Sequence, residues 1–323
     1  MRISRAISVA ALCAFTVSAG AQTSVAEAST PADELAIGPN AGRVSLPRPP
    51  APASIEIDDG PAAGEGRGDR LHLSAAIDFA SAYFYRGYRQ EDRGLIAQPS
   101  ATVGFDVVGG EPWSLEAYAG TWHSLHSEET GAASPGDSDA PWYEADVFAG
   151  MTATAGAWEF GVQYAWFFSP NDAFATAEEL QFSVAYDDSG ALGAWVLSPS
   201  VTVALETGDG AADGLEKGVY AQAGVEPGFD AEHSAFDGVR VSFPVIAGFS
   251  LHDYYQDEDG EDNAFGFVSA GARVEVLLPA GDRPGSWSAS LSVTGLLLGD
   301  AASAVNDGDD GAAVVAGGLS VSF

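Results

Sequence analysis

Acidic side chains stand on the polar parity of segments whose alternate positions are apolar: Asp78, Asp106, Glu116, Glu144, Asp146, Glu159, Glu179, Glu206, Glu226 and Glu275, joined there by Arg86, Arg240 and Arg273. Three guanidinium groups cannot neutralise ten carboxylates, so the surplus needs water or mobile cations around it. A second acidic pattern, Asp257, Asp259 and Asp262 about Gly260, and a similar run from Asn306 to Gly311, offer the hard oxygen ligands that Ca²⁺ selects. Neither has the twelve-residue order or late Glu of an EF-hand, and solvated acidic turns are the alternative. Enzymatic chemistry has little to build on. No Gly-x-Ser-x-Gly elbow is present, and the five histidines offer only two pairings, His252 beside Asp253 and His123 near His126. No catalytic centre and no resident cofactor are expected.

The whole composition leans the same way. Of 323 residues, 46 are Asp or Glu and 13 are Lys or Arg, a formal charge of -33. A nucleic acid or an anionic lipid surface would be repelled, which excludes binding by counterion release. Disorder throughout is excluded too, because 17 Phe, 10 Tyr and 7 Trp give the chain ample apolar surface to bury. The single cysteine, Cys13, removes disulfide and thiol-metal chemistry from everything after it.

The N-terminal residues follow different rules. Arg2 and Arg5 precede an apolar run from Ala6 to Val17, and Ala19-Gly20-Ala21 supplies a small-residue cleavage pattern. Residues 1–21 read as a secretory signal, since a spanning helix needs about 20 apolar residues. Residues 22–69 carry Pro31, Pro39, Pro47, Pro49, Pro50, Pro52 and Pro61 without an apolar period, which reads as a linker.

From residue 70 the period becomes two. Leu71, Leu73, Ile77 and Phe79 alternate with His72, Ser74 and Asp78, and Trp158, Phe160, Val162 and Trp166 alternate with Glu159, Gly161 and Gln163. Such alternation defines a strand with one apolar face. Runs of this kind fall at 71–85, 95–108, 113–122, 142–154, 157–168, 178–186, 194–206, 217–226, 239–252, 264–278, 287–298 and 312–323. Many reach the roughly 9 to 11 residues a tilted strand needs to cross a bilayer. Connections alternate between long polar loops, such as 123–141 and 253–263, and tight turns such as 109–112, with 227–238 as a longer exception. Trp113, Trp158, Trp195 and Trp287 all sit near strand starts on the apolar parity, as an interfacial aromatic girdle would. The final run ends Leu319-Ser-Val321-Ser-Phe323, similar to the terminal signal read by the outer-membrane barrel assembly machinery.

These features predict an all-β chain: a transmembrane, antiparallel, up-and-down β-barrel of about 12 strands over residues 70–323, placed in a bacterial outer membrane after removal of the signal. Alternation puts Asp78, Arg86, Asp106, Glu116, Glu144, Asp146, Glu159, Glu206, Arg240, Arg273 and Glu275 along the pore. Arg86, Arg89 and Arg93 then cluster at the outer end of the first strand. There they could hold an anion or a glycolipid phosphate, or pair with Glu91, Asp92 and lumen carboxylates.

Tyr83-x-Tyr85-Arg86-Gly87, Gln90 and Tyr118-Ala-Gly-Thr-Trp122 resemble the strand ends of the Gcw_chp-type porin family of bacterial outer membranes. The resemblance covers mainly residues 78–125 and implies a porin without naming a solute; the long Pro-rich leader departs from it. The expected function is a passive, cation-leaning diffusion channel for small solutes. The alternative is a non-conducting barrel whose acidic outer loops bind divalent cations or partners. Outer-membrane lipid, lipopolysaccharide and the assembly machinery are the expected partners, nucleic acid is not, and homo-oligomerisation stays open.

Overall fold

The computed structural model describes residues 70–110, 112–128, 141–189, 191–192, 195–211, 216–231, 238–257, 259–279 and 284–323. The expected signal (1–21) and linker (22–69) lie outside them.

In chain order the elements are β1 (Leu71–Ala80), β2 (Tyr83–Tyr85), β3 (Tyr88–Glu91), β4 (Ile96–Val108), β5 (Trp113–His126), β6 (Trp142–Ala155), β7 (Trp158–Phe168), β8 (Ala177–Tyr186), β9 (Ser200–Glu206), β10 (Val219–Val225), β11 (Gly228–Ala231), β12 (Gly238–Ser242), β13 (Val245–His252), β14 (Phe265–Leu278), β15 (Ser286–Leu298), α1 (Asp300–Val305) and β16 (Gly311–Ser322). Pairing is antiparallel throughout, and the order β1, β4 to β10, β13 to β16 returns to β1. The seam closes in register from Ser74 opposite Ser322 to Ala80 opposite Ala316. Beyond it, the Leu73 and Phe323 main chains exchange hydrogen bonds of 3.2 and 2.9 Å. A wall that closes on itself has no unpaired edge, which hydrocarbon requires of any spanning sheet.

β12 and β13 share one neighbour. β12 pairs with the Arg273–Leu277 stretch of β14, and β13 with Phe265–Ala270. They are two lengths of one stave, interrupted at Phe243-Pro244, just as β10 and β11 are interrupted at Glu226-Pro227. Proline brings no amide hydrogen to a ladder, so the sheet breaks step at each. Its carbonyl still serves: Phe243 donates to Pro227 O at 2.7 Å and Gly271 to Pro244 O at 2.9 Å. Counted as staves, the wall is a closed barrel of twelve antiparallel strands. The long exception at 227–238 is thereby corrected: it contains the continuing length β11 and ends where β12 begins.

Apolar parity faces outward. Leu71, Phe79, Phe105, Met151, Phe160, Phe182, Leu291, Leu297 and Leu319 are all exposed, an apolar surface far too extensive for water and suited to lipid. Trp113 and Trp158 begin β5 and β7, Trp287 lies at the start of β15, and Trp195 precedes β9 at the same end of the barrel. The Trp287 indole Nε1 donates to Pro284 O at 3.0 Å. At the opposite end Trp142 and Trp166 face out, and Tyr164, packed 4.7 Å from Trp166, donates to Glu178 Oε2 at 2.6 Å. The barrel thus carries an aromatic girdle at each rim.

Two expectations fail at the first and last outer connections. The first run does not continue to Tyr85. Ser81 ends it: its amide still donates to Val315 O, while its Oγ accepts from the Val315 amide at 2.9 Å, taking a carbonyl's place in the ladder. The chain then leaves the wall and turns inward. The last connection holds a helix, α1, that no helical period announced. Six residues are too few to display one.

Candidate functional site

Twelve strands enclose more space than wall side chains alone fill. In the half of the barrel away from the termini that space is taken by the 81–95 segment. β2 and β3 form a two-stranded sheet of their own, with Tyr85 opposite Tyr88 across the turn Arg86-Gly87. Both turn residues have positive φ, 42° and 89°, the combination of a type I′ hairpin turn, whose twist matches its strands. Glycine is at ease there. It also allows close packing, since a Cβ at Gly87 would lie 3.2 Å from Phe267 Cβ. Arginine at the first turn position is strained, so the surroundings must hold it.

They hold it from several sides. Arg86 Nη1 and Nη2 donate to Glu179 Oε1 and Oε2 of β8 at 2.8 and 2.9 Å, a bidentate fork. Nη1 also donates to Tyr254 Oη at 2.8 Å. The guanidinium carbon lies 3.8 Å from the ring centre of Tyr220, on β10, and 4.6 Å from that of Tyr85. Tyr255 Oη donates to the Arg86 carbonyl at 2.9 Å. Gly266 gives the Tyr255 ring its place: a Cβ there would fall 1.9 Å from Tyr255 Cζ. The pair is sealed, with side-chain exposure of 7% for Arg86 and 1% for Glu179.

The hairpin's other contacts run around the wall. Tyr83 Oη donates to Glu144 Oε2 at 2.9 Å, and its ring packs 5.4 Å from Trp122. Tyr143 Oη donates to Gln90 Oε1 at 2.6 Å. Tyr143 reaches inward because Ser124 pairs with Glu144 but Leu125 with Trp142, leaving it as the extra residue of a bulge. From α1's end, Asn306 closes the opposite flank: Nδ2 donates to Gly87 O at 2.7 Å and Oδ1 accepts from the Arg89 amide at 2.8 Å. Arg89 pairs with Asp307, Asp309 and Asp92. A cavity of about 200 Å³ remains between Phe84, Arg89, Leu298, Asn306 and Asp309. Glu91 Oε1 accepts the amides of Asp92 and Arg93, both at 2.9 Å, and turns the chain back toward β4.

Of the residues expected along a pore, Arg86 needs relocation: it is the tip of this plug and not part of a lumen wall. The Arg86 to Arg93 cluster chiefly contacts protein carboxylates, as the pairing alternative expected. The acidic residues form separate groups. Glu144 and Asp146 are fully buried beneath Tyr83. Glu206 Oε2 accepts the Gly218 amide at 2.6 Å, near the outer end of its strand. In the other half, Glu275 takes Arg273 at 3.1 Å and Ser288 Oγ at 2.8 Å, and Ser288 meets Ser320 at 2.7 Å. Asp78 opposes Gly318 across the seam. Glu116 opposes Asp106, and Asp106 meets His72 at 3.0 Å. Glu159, second in β7, is exposed, and Arg240 pairs at 3.4 Å with Asp230 across the β11–β12 ladder. The termini half is therefore lined by carboxylates and hydroxyls that keep partial solvent contact, and the outer half is filled.

Asp257 of the acidic loop is turned back on its own chain. Asp257 Oδ1 accepts the amides of Asp259 and Glu261 at 3.0 and 2.9 Å. Those bonds, the Glu261 amide first, together with the Asn263 side-chain amide donating to Oδ2 at 3.5 Å, hold its carboxyl below the usual carboxylate range. It is committed to the turn, and among the described residues no three His, Cys, Asp or Glu converge as metal ligands.

One constellation escaped the sequence. Ser124 Oγ lies 2.9 Å from His126 Nε2, and His126 Nδ1 lies 4.0 Å from Glu91 Oε2, the order of a nucleophile, base and acid. All three are buried, and Tyr143 stacks on His126 at 4.5 Å. No acyl group reaches Ser124 in this conformation. The only advance signal was Ser124-x-His126 on one strand face. His252 and Asp253, 3.3 Å apart, are an exposed surface pair.

No family model matches the chain, and no curated protein does. These comparisons add nothing to the Gcw_chp-type resemblance; of the residues that carry it, 83–90 lie in the plug and Trp122 packs against it. Among solved structures, an outer-membrane channel from Pseudomonas putida F1 aligns over 79% of this chain and 96% of its own, at 8% identity and TM-score 0.46. The transport unit of the autotransporter AIDA-I from Escherichia coli aligns over 81% and 92%, at 11% and 0.40. A porin aligns over 79% and 99%, at 11% and 0.30. At TM-scores below 0.5 these likenesses decide nothing about the lumen; the closed strand register defines the barrel by itself.

Proposed function

We propose that this barrel is an outer-membrane channel for small solutes, cation-leaning, held closed at its outer half by the 81–95 hairpin. The observation that carries the proposal is the division of the lumen. A carboxylate- and hydroxyl-lined half meets a plug made of one continuous loop, and residues 82–93 of that loop can leave without disturbing any pair in the twelve-strand wall. Removing it would expose Glu144, Asp146, Glu179 and Glu206, extending the acidic lining through the barrel. The second reading, a non-conducting barrel that serves through its loops, is favoured by the complete burial of Tyr88 and Gln90 in the plug and of Tyr143 in the wall against it.

Liposome swelling separates the two. Proteoliposomes of the full chain are expected to swell no faster than empty ones in isotonic small-solute medium. Those of a variant with residues 82–93 replaced by a short Gly-Ser turn are expected to swell several-fold faster. Equal, slow swelling of both, with the variant shown to be folded by its heat-modifiable gel mobility, would favour the non-conducting barrel.

A further inference from the structure

The seat of Arg86 is assembled mostly from parts that do not belong to the hairpin. Glu179 is on β8 and Tyr220 on β10, and Tyr254 follows β13. Each has support of its own. Gln181 Nε2 donates to Glu179 Oε2 at 2.9 Å, Tyr220 Oη donates to Gln222 Oε1 at 3.0 Å, and the Tyr254 amide donates to Ser250 Oγ at 3.0 Å. Tyr220 and Tyr254 also pack on each other, their ring centres 5.0 Å apart. Only Tyr85, among the groups around the guanidinium, would leave with the hairpin.

What remains after that departure is a carboxylate presenting both oxygens edge-on, an aromatic face for a flat cation to lie against, and a phenol oxygen able to accept one more hydrogen bond. That set is specific for a planar group with paired N–H donors. A guanidinium matches the fork and the ring together, whereas an ammonium, compact and strongly hydrated, meets one oxygen at a time. Arg86 meanwhile occupies the seat from a strained turn, with φ of 42°, as a tethered occupant of a site its own backbone does not favour.

We propose that the Glu179–Tyr220–Tyr254 cluster is a guanidinium-recognition site of the lumen. Arg86 is its built-in competitor, and a solute bearing a guanidinium group is the ligand that replaces it. The role of such a solute in opening or permeation rests on the channel reading above. The site itself does not.

The test uses the full chain refolded in detergent and in planar bilayers, with guanidinium chloride at low millimolar concentration as the probe and methylammonium chloride as the control. In Arg86→Ala the seat is vacant, and guanidinium is expected to raise the thermal midpoint saturably. Its half-saturating concentration should be about tenfold lower than that of methylammonium, one extra charge-assisted bond's worth. The unmodified chain, with its seat filled, and the Arg86→Ala/Glu179→Gln double variant should not respond. If Arg86→Ala fails to refold, Arg86→Gln, neutral and closer in length, takes its place. Equal responses to the two cations, or a double variant that responds like the single one, would overturn the site. Saturable guanidinium binding by a variant that never conducts would sustain the site and sink the channel reading. Conduction without discrimination between the two cations would do the reverse.

Discussion

Glu179→Gln is expected to unfasten the plug. The substitution leaves the Arg86 guanidinium buried against tyrosine rings with no counter-charge, and removing one partner of a buried pair costs about 3–5 kcal/mol. The wall loses no ladder bond, so the loss should fall on the hairpin. Residues 81–95 should become accessible to protease in the folded barrel while the heat-modifiable gel mobility persists. The double variant Arg86→Met/Glu179→Gln removes both charges and keeps the volume, and most of the protection should return. Equal accessibility of the single and double variants would mean that the pair does not fasten the hairpin.

The second large effect concerns selectivity. With residues 82–93 replaced by a short turn, the reversal potential under a KCl gradient should carry the cation's sign, because the lining that remains is dominated by carboxylates. Glu144→Gln/Asp146→Asn in that background should move it several-fold toward unselective permeation. In the intact chain the same changes should leave ion flow untouched, since both side chains are buried under Tyr83. A reversal potential at zero in the shortened barrel would contradict the acidic lumen.

The wall was legible in the sequence because period-two alternation records a physical boundary, lipid outside and a polar interior, at every strand. Leu71 to Phe79 and Trp158 to Trp166 each carry it without interruption, while Phe167 and Leu296 break it where side chains are buried inside the barrel. Turn residues and tryptophans then located the rims. The proline breaks at Pro227 and Pro244 were visible but ambiguous: proline can end a stave or make it break step, and only the strands paired alongside decide. The plug was not legible at all. Tyr83, Tyr85 and Arg86 keep the alternation of β1, so the departure from the wall is encoded by one hydroxyl, that of Ser81, substituting for a carbonyl. The anchors of Arg86 come from residues 179, 220 and 254, separations that no local pattern spans. The acidic surplus was legible as composition, but its division between a filled and an open half depends on which loop fills the lumen.

The most direct test of the closed lumen is the single-channel current of the unmodified full chain refolded into a planar bilayer, recorded beside the variant lacking residues 82–93. The plugged barrel predicts silence or rare brief openings from the full chain and stable, discrete, cation-selective steps from the variant. Stable steps of the same conductance from both would show that ions pass without displacing the hairpin, and would contradict the plug.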